Sequence, residues 1–202
     1  MYFLGLTFHP NFVQFKKIDS FRKLYDSHYR VCKNLQMSLL PPFEIKNRKS
    51  YEHLVDELKE SVEDFFLGFE TPMAIEFTSI GLMEKKRPFV YLRPEIPEDL
   101  VHLQEMLQQI CLAHEVKFKP RGKQFFETFL PIAKPRSMEL FGESIKEARS
   151  SFTLPLELFS GQLSLFEKFP GQWIIKEGIF QFCKQTELED DLYGNIHEGS
   201  VF

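Results

Sequence analysis

Gln36 and Ser38 stand two residues apart in the stretch Asn34-Leu35-Gln36-Met37-Ser38-Leu39-Leu40-Pro41-Pro42-Phe43. Leu35, Met37 and Leu39 alternate with them, which is the period of a half-buried β-strand. The amide and the hydroxyl therefore emerge side by side on the face turned from the core. Gln36 can donate or accept a hydrogen bond but cannot titrate, while Ser38 offers a hydroxyl to a phosphate oxygen. A second stretch, Phe125-Phe126-Glu127-Thr128-Phe129-Leu130-Pro131-Ile132-Ala133-Lys134, sits within a cluster of cations: Lys117, Lys119, Arg121, Lys123, Lys134 and Arg136. Glu127 is the main acid among them. Such a cluster is either a solvated loop or a rim that draws in a phosphate-bearing ligand.

The six histidines give little help to proton chemistry. His53, His102 and His114 fall on expected helices and read as surface or boundary residues, and His197 lies near the C-terminal end. His9 and His28 flank the first helix, close enough to approach a cleft rim. Gly5, Gly68, Gly81 and Gly122 are scattered, so no glycine-rich phosphate loop exists. No His-Glu-x-x-His or Cys-x-x-Cys pattern points to a metal. Ser160-Gly161-Gln162 and Phe141-Gly142-Glu143-Ser144 lack the context of a nucleophile elbow. No metal and no cofactor is expected.

The elements that must carry these residues alternate strands and helices. Residues 2–8 form a first strand, and His9-Pro10-Asn11 opens a helix ending at Tyr25, with Phe15, Ile18, Arg22 and Tyr25 at helical spacing. The Gln36 strand follows, and Pro41-Pro42 ends its pairing because proline cannot donate to a ladder. A second helix is expected from Ser50, as N-cap, to Asp64, with Leu54, Val55, Leu58 and Val62 in one stripe. Residues 65–70, 74–80 and 88–93 read as strands, the last two joined by a charged turn at 83–87. Pro97 suits the first turn of a third helix. Ser137 opens a short fourth helix, and the last strands come from 152–183.

The order of these pieces resembles the two-histidine (2H) phosphoesterases, the superfamily of 2'-5' RNA ligases and cyclic nucleotide phosphodiesterases. That family begins with a hydrophobic strand and a helix ending in an Arg-x-x-Tyr-Asp-like segment, matched here by Arg22-Lys23-Leu24-Tyr25-Asp26. Its first signature, His-x-Thr/Ser followed by a hydrophobic residue and a proline and phenylalanine, is matched by Gln36-Met37-Ser38 and Pro41-Pro42-Phe43. A late strand, turn and Trp-containing strand resemble 152–158, 163–168 and Pro170-Gly171-Gln172-Trp173. The likeness runs over residues 2–183. It implies an α+β fold of two pseudo-twofold lobes, antiparallel sheets forming a central cleft, and helices packed outside. Residues 1–184 would form one two-lobed domain and 185–202 an acidic tail.

The second signature falls in 125–134, where two registers compete. Phe129-Leu130-Pro131 puts Leu130 inward, whereas Phe126-Glu127-Thr128 would bury the Glu127 carboxylate at a cost. The first is preferred. In both, the histidine position holds phenylalanine. The resemblance therefore implies a family fold without its proton-transfer imidazoles, with Gln36 and Phe129 in their places and with Ser38 and Pro131 at the hydroxyl positions. Gln36, Ser38, Phe43, Phe129, Lys134 and Arg121 are the expected ligand-binding residues, and a nucleotide or RNA end is the implied ligand. Two alternatives stand beside this: a divergent active phosphodiesterase or ligase, and a protein-interaction module whose cleft is filled by its own side chains.

Composition sets the outer bounds. At 202 residues, 43% hydrophobic and 27% charged, the chain suits one globular unit. Its 23 phenylalanines serve a core or line a groove where bases stack. A formal net charge of −4 argues against general nucleic-acid coating. Cys32, Cys111 and Cys183 show no disulfide framework, which fits a reducing cytoplasm. The first residues lack a basic n-region, so no signal peptide is expected. No apolar run approaches the ~20 residues that span a bilayer.

Overall fold

Tyr2–Phe8 (β1) turns Leu4, Leu6 and Phe8 into the core and leaves Phe3, Gly5 and Thr7 on the opposite face. Everything else is arranged around this strand. The computed structural model describes residues 1–67, 72–84, 88–119, 128–170 and 172–182. One edge of β1 pairs antiparallel with Gln36–Ser38 (β2) and Phe43–Glu44 (β3). The other edge pairs with Leu156–Phe169 (β8). Between these in sequence come Ala74–Met83 (β4), Phe89–Pro94 (β5), Lys117–Phe118 (β6) and Leu130–Ala133 (β7). Gln172–Gln181 (β9) follows β8. The sheet runs β6-β3-β1-β8-β4-β5-β7, with β2 on β1 and β9 on β8.

β8 joins the two halves. Residues Leu156 to Phe159 pair with β4, and Ser160 to Glu167 pair with β1. The expectation of two strands there, 152–158 and 163–168, is corrected to one strand with an irregularity opposite Thr7 and Phe8. That bulge takes up Gly161 and keeps Leu163 and Leu165 inward.

Among the described residues, four helices cover the core side. Val13–Tyr25 (α1) contributes Ile18, Phe21 and the buried Arg22. Arg48–Phe65 (α2) contributes Leu54, Val55, Leu58 and Val62. Its N-cap is Asn47, whose side chain accepts from the Ser50 amide at 2.9 Å, not Ser50 as the sequence suggested. This helix also runs through Phe65, where a strand was expected. Phe66 then stacks on Phe180 at 5.0 Å and meets Phe182 edge-on at 4.8 Å, so packing overrides the aromatic bias toward strand. Glu98–Ala113 (α3) follows Pro97, with Glu98 and Asp99 complementing the dipole of its first turn. Met138–Ser151 (α4) is capped by the Ser137 hydroxyl, which accepts from the Leu140 amide at 3.2 Å. Among the described residues, no helix is long and apolar enough to cross a membrane.

Candidate functional site

β2 and β7, far apart in sequence, are neighbours in space: their Cα atoms approach within 8 Å. Two contacts fix the meeting. The Gln104 side-chain amide of α3 donates to the Leu39 carbonyl and to the Thr128 hydroxyl, each at 2.9 Å. The residue after Ser38 is thereby tied beside the residue before Phe129. At the other end, the Ser27 hydroxyl and amide both donate to the Lys134 carbonyl, at 2.6 and 3.2 Å. Sequence reading missed Gln104. Its signal was weak, a glutamine on a helix face otherwise bearing leucines.

Burial separates the faces of both strands. Leu35, Met37, Leu39, Leu130 and Ile132 are buried in the core. Gln36, Ser38, Phe129 and Pro131 are half-buried and alternate with them. Leu130 inward between Phe129 and Pro131 is the alternation expected of the preferred register. Phe126 and Glu127 of the competing register lie outside the described residues, as does Arg121.

Across the first half, the pairing sets out a floor. Gln36 lies opposite Thr7 and Ser38 opposite Gly5. On the far side of β1, Thr7 pairs with Gln162 and Gly5 with Ser164. The Thr7 hydroxyl donates to the Gln162 carbonyl at 3.3 Å. Gln36 Oε1 and Ser164 Oγ are buried and have no hydrogen-bond partner among the described residues. Buried polar atoms normally find partners, so the Gln36 carbonyl oxygen has an unused acceptor and the Ser164 hydroxyl an unused donor and acceptor. The Ser38 hydroxyl is already engaged, donating to the Leu40 carbonyl at 2.8 Å. It retains lone pairs, but its proton is not free for a phosphate oxygen.

Aromatic rings frame this floor. Phe129 stacks on Phe89 at 5.4 Å and lies against Tyr91 at 4.9 Å. Tyr91 sits where Gly81 leaves room, since a Cβ there would come within 2.1 Å of its ring. The Arg93 guanidinium donates to the Tyr91 hydroxyl at 3.3 Å. In the other half, Phe3 stacks on Phe166 at 4.6 Å and takes the edge of Trp173 at 4.8 Å. Beside Trp173, residues 30–34 and 173–175 line a hollow of about 260 Å³.

These arrangements have a counterpart among solved structures. E. coli LigT complexed with 3'-AMP superposes with a TM-score of 0.52 at 13% identity, covering 91% of this chain and 98% of that one. The fold is that of LigT. Two further LigT structures agree. The complex with NADP+ gives a TM-score of 0.53 at 13% identity, covering 90% of this chain and 95% of that one. The complex with ATP gives 0.50 at 12% identity, covering 91% and 98%. No protein-family model matches the sequence, and no curated protein matches it.

Set on the LigT-like fold, the other expected site residues separate. Phe43 is fully buried, edge-on to Phe118 at 5.7 Å and tilted against Tyr2 at 6.4 Å. It is core, and its expected place at the ligand is corrected: β3 pairs with β1 at Tyr2 and turns this ring inward. Lys134 is exposed at the end of β7, near Cys32. Burial pushes the Cys32 thiol up, against the opposing influence of Arg22 and Lys134. His9 is buried and its pKa is lowered by that burial. Its Nδ1 accepts from the Asn11 amide at 3.4 Å, and its Nε2 has no partner among the described residues. His28, His53 and His102 are exposed, and His114 pairs with Glu57 at 2.7 Å. His197 lies outside the described residues. Among the described residues, no ionisable side chain hydrogen-bonds Gln36 or Ser38, and no group of three His, Cys, Asp or Glu could hold a metal.

Proposed function

We propose that the face bearing Gln36, Ser38 and Phe129 binds a nucleotide or RNA end and performs no phosphodiester chemistry. One observation carries this reading: an amide and a phenyl ring occupy adjoining strands where the 2H resemblance calls for two imidazoles. Positioned proton transfer contributes roughly 100- to 10,000-fold to such reactions. Histidine supplies it near neutrality because its pKa is about 6.5. Gln36 and Phe129 cannot. Binding needs only hydrogen bonds, rings and charge, and those remain. The buried Gln36 Oε1 is suited to an amino or hydroxyl donor of a nucleotide, and Phe129, Phe89 and Tyr91 form an aromatic wall. That E. coli LigT is seen with 3'-AMP, NADP+ and ATP favours a nucleotide over other ligands.

The test is a calorimetric titration of the protein with 3'-AMP. Saturable binding is expected, and Gln36→Ala should weaken it about fivefold, the worth of one hydrogen bond of about 1 kcal/mol. Absence of binding by the folded protein would overturn this reading in favour of a cleft occupied by its own rings.

A further inference from the structure

The hollow beside Trp173 is built from two segments distant in sequence, the loop 30–34 ahead of β2 and the start of β9. The buried Arg22 guanidinium donates to the Cys32 carbonyl at 2.6 Å and to the Lys33 carbonyl at 2.9 Å, which fixes the loop backbone from beneath. Trp173 is held on the other side by its edge contact with Phe3. The lining combines an indole and the apolar Val31 and Ile175 with the cations Arg30 and Lys33. Both cations are exposed, and neither has a carboxylate partner among the described residues. Asn34 ends the hollow two residues before Gln36 in the chain.

We infer that this hollow is a binding site for a nucleoside monophosphate, with the base against Trp173 and the phosphate at Arg30 and Lys33. A planar π-system is what an indole beside Val31 and Ile175 holds best, because every base has a face that can stack. Two cations beside it, without a carboxylate partner among the described residues, select a ring that carries an anion, with arginine suited to grip phosphate by its planar fork. A volume of about 260 Å³ lies just below the ~300 Å³ lower bound of drug-sized pockets. That suits one base, not an extended oligonucleotide. The site extends the function proposed above, and rests on it only in taking a nucleotide as the anion.

The chain has a single tryptophan, so its emission reports on this hollow alone. Titration with AMP is expected to change Trp173 fluorescence saturably, while inorganic phosphate leaves it unchanged. The double charge reversal Arg30→Glu with Lys33→Glu should raise the dissociation constant about tenfold or more. Trp173→Phe should retain weakened binding by calorimetry. If AMP binds by calorimetry but leaves the emission untouched, or if the charge reversal leaves affinity intact, the hollow is not the site and the reading of the Gln36 face still stands. If AMP produces neither heat nor a fluorescence change, both fall. An equal response to inorganic phosphate would overturn the assignment of a base to Trp173.

Discussion

Arg22→Met is expected to lower the unfolding free energy by about 3 kcal/mol, read as a fall in the denaturant midpoint at unchanged slope. Arg22 is 3% exposed and reaches two carbonyls, Cys32 and Lys33, at 2.6 and 2.9 Å. Its contact with Asp26 is longer, 3.5 Å, and contributes less. Hydrogen bonds to a charged donor are worth about 1.5–3 kcal/mol each, and these two are partly buried. Methionine fills the space of the stem but leaves both carbonyls and the Asp26 carboxylate without their donor. Lysine keeps the charge and loses the fork, so Arg22→Lys should recover only part of the loss. The loop that Arg22 holds leads directly into β2, so AMP binding should weaken in the same variants. Loss of stability below 1 kcal/mol would show that the loop is held by other means.

Gly5→Val is expected to cost about 2–3 kcal/mol and to abolish binding of 3'-AMP. A Cβ at Gly5 would stand 2.8 Å from the Met37 carbonyl oxygen and 2.8 Å from Phe3 Cε2. The ring is wedged against Phe166, and the carbonyl belongs to the strand that carries Gln36 and Ser38. Relief therefore requires β2 to move away from β1. Overpacking of this kind typically costs about 1–3 kcal/mol. Gly5→Ala should show the same effect in smaller measure. Wild-type stability in Gly5→Val would mean that β2 is not held where the pairing sets it. Both variants separate stability from affinity by chemical denaturation and calorimetry on the same samples.

Much of this was legible in the alternation of residues. β1 spans the residues expected of it, and Met37 and Leu130 lie inward as their apolar neighbours implied. The four expected helices form among the described residues. What escaped sequence reading did so for physical reasons. Residues 152–158 and 163–168 read as two strands, yet a bulge absorbs Gly161 and β8 continues across both halves. Asn47 and Ser50 are both good caps, and only the backbone decides that Ser50 donates while Asn47 accepts. Phe43, at the end of the signature, was expected at the ligand, but its pairing register sends it inward. The orphaned Ser164 hydroxyl and the hollow beside Trp173 depend on contacts between distant segments, and no local pattern announces them. Phe129 and Gln36 were visible as residues. The proximity of their strands shows in Gln104 bridging Leu39 and Thr128 and in Ser27 bonding Lys134.

The central claim is that this LigT-like face binds without catalysing. The most direct test is a turnover assay on a 2',3'-cyclic nucleotide, run across pH 5 to 9 with protein shown by calorimetry to bind 3'-AMP. The expected result is no hydrolysis above the uncatalysed rate at any pH. Hydrolysis by the wild-type protein that disappears in Gln36→Ala would contradict the claim, because it would make this amide part of a working active site.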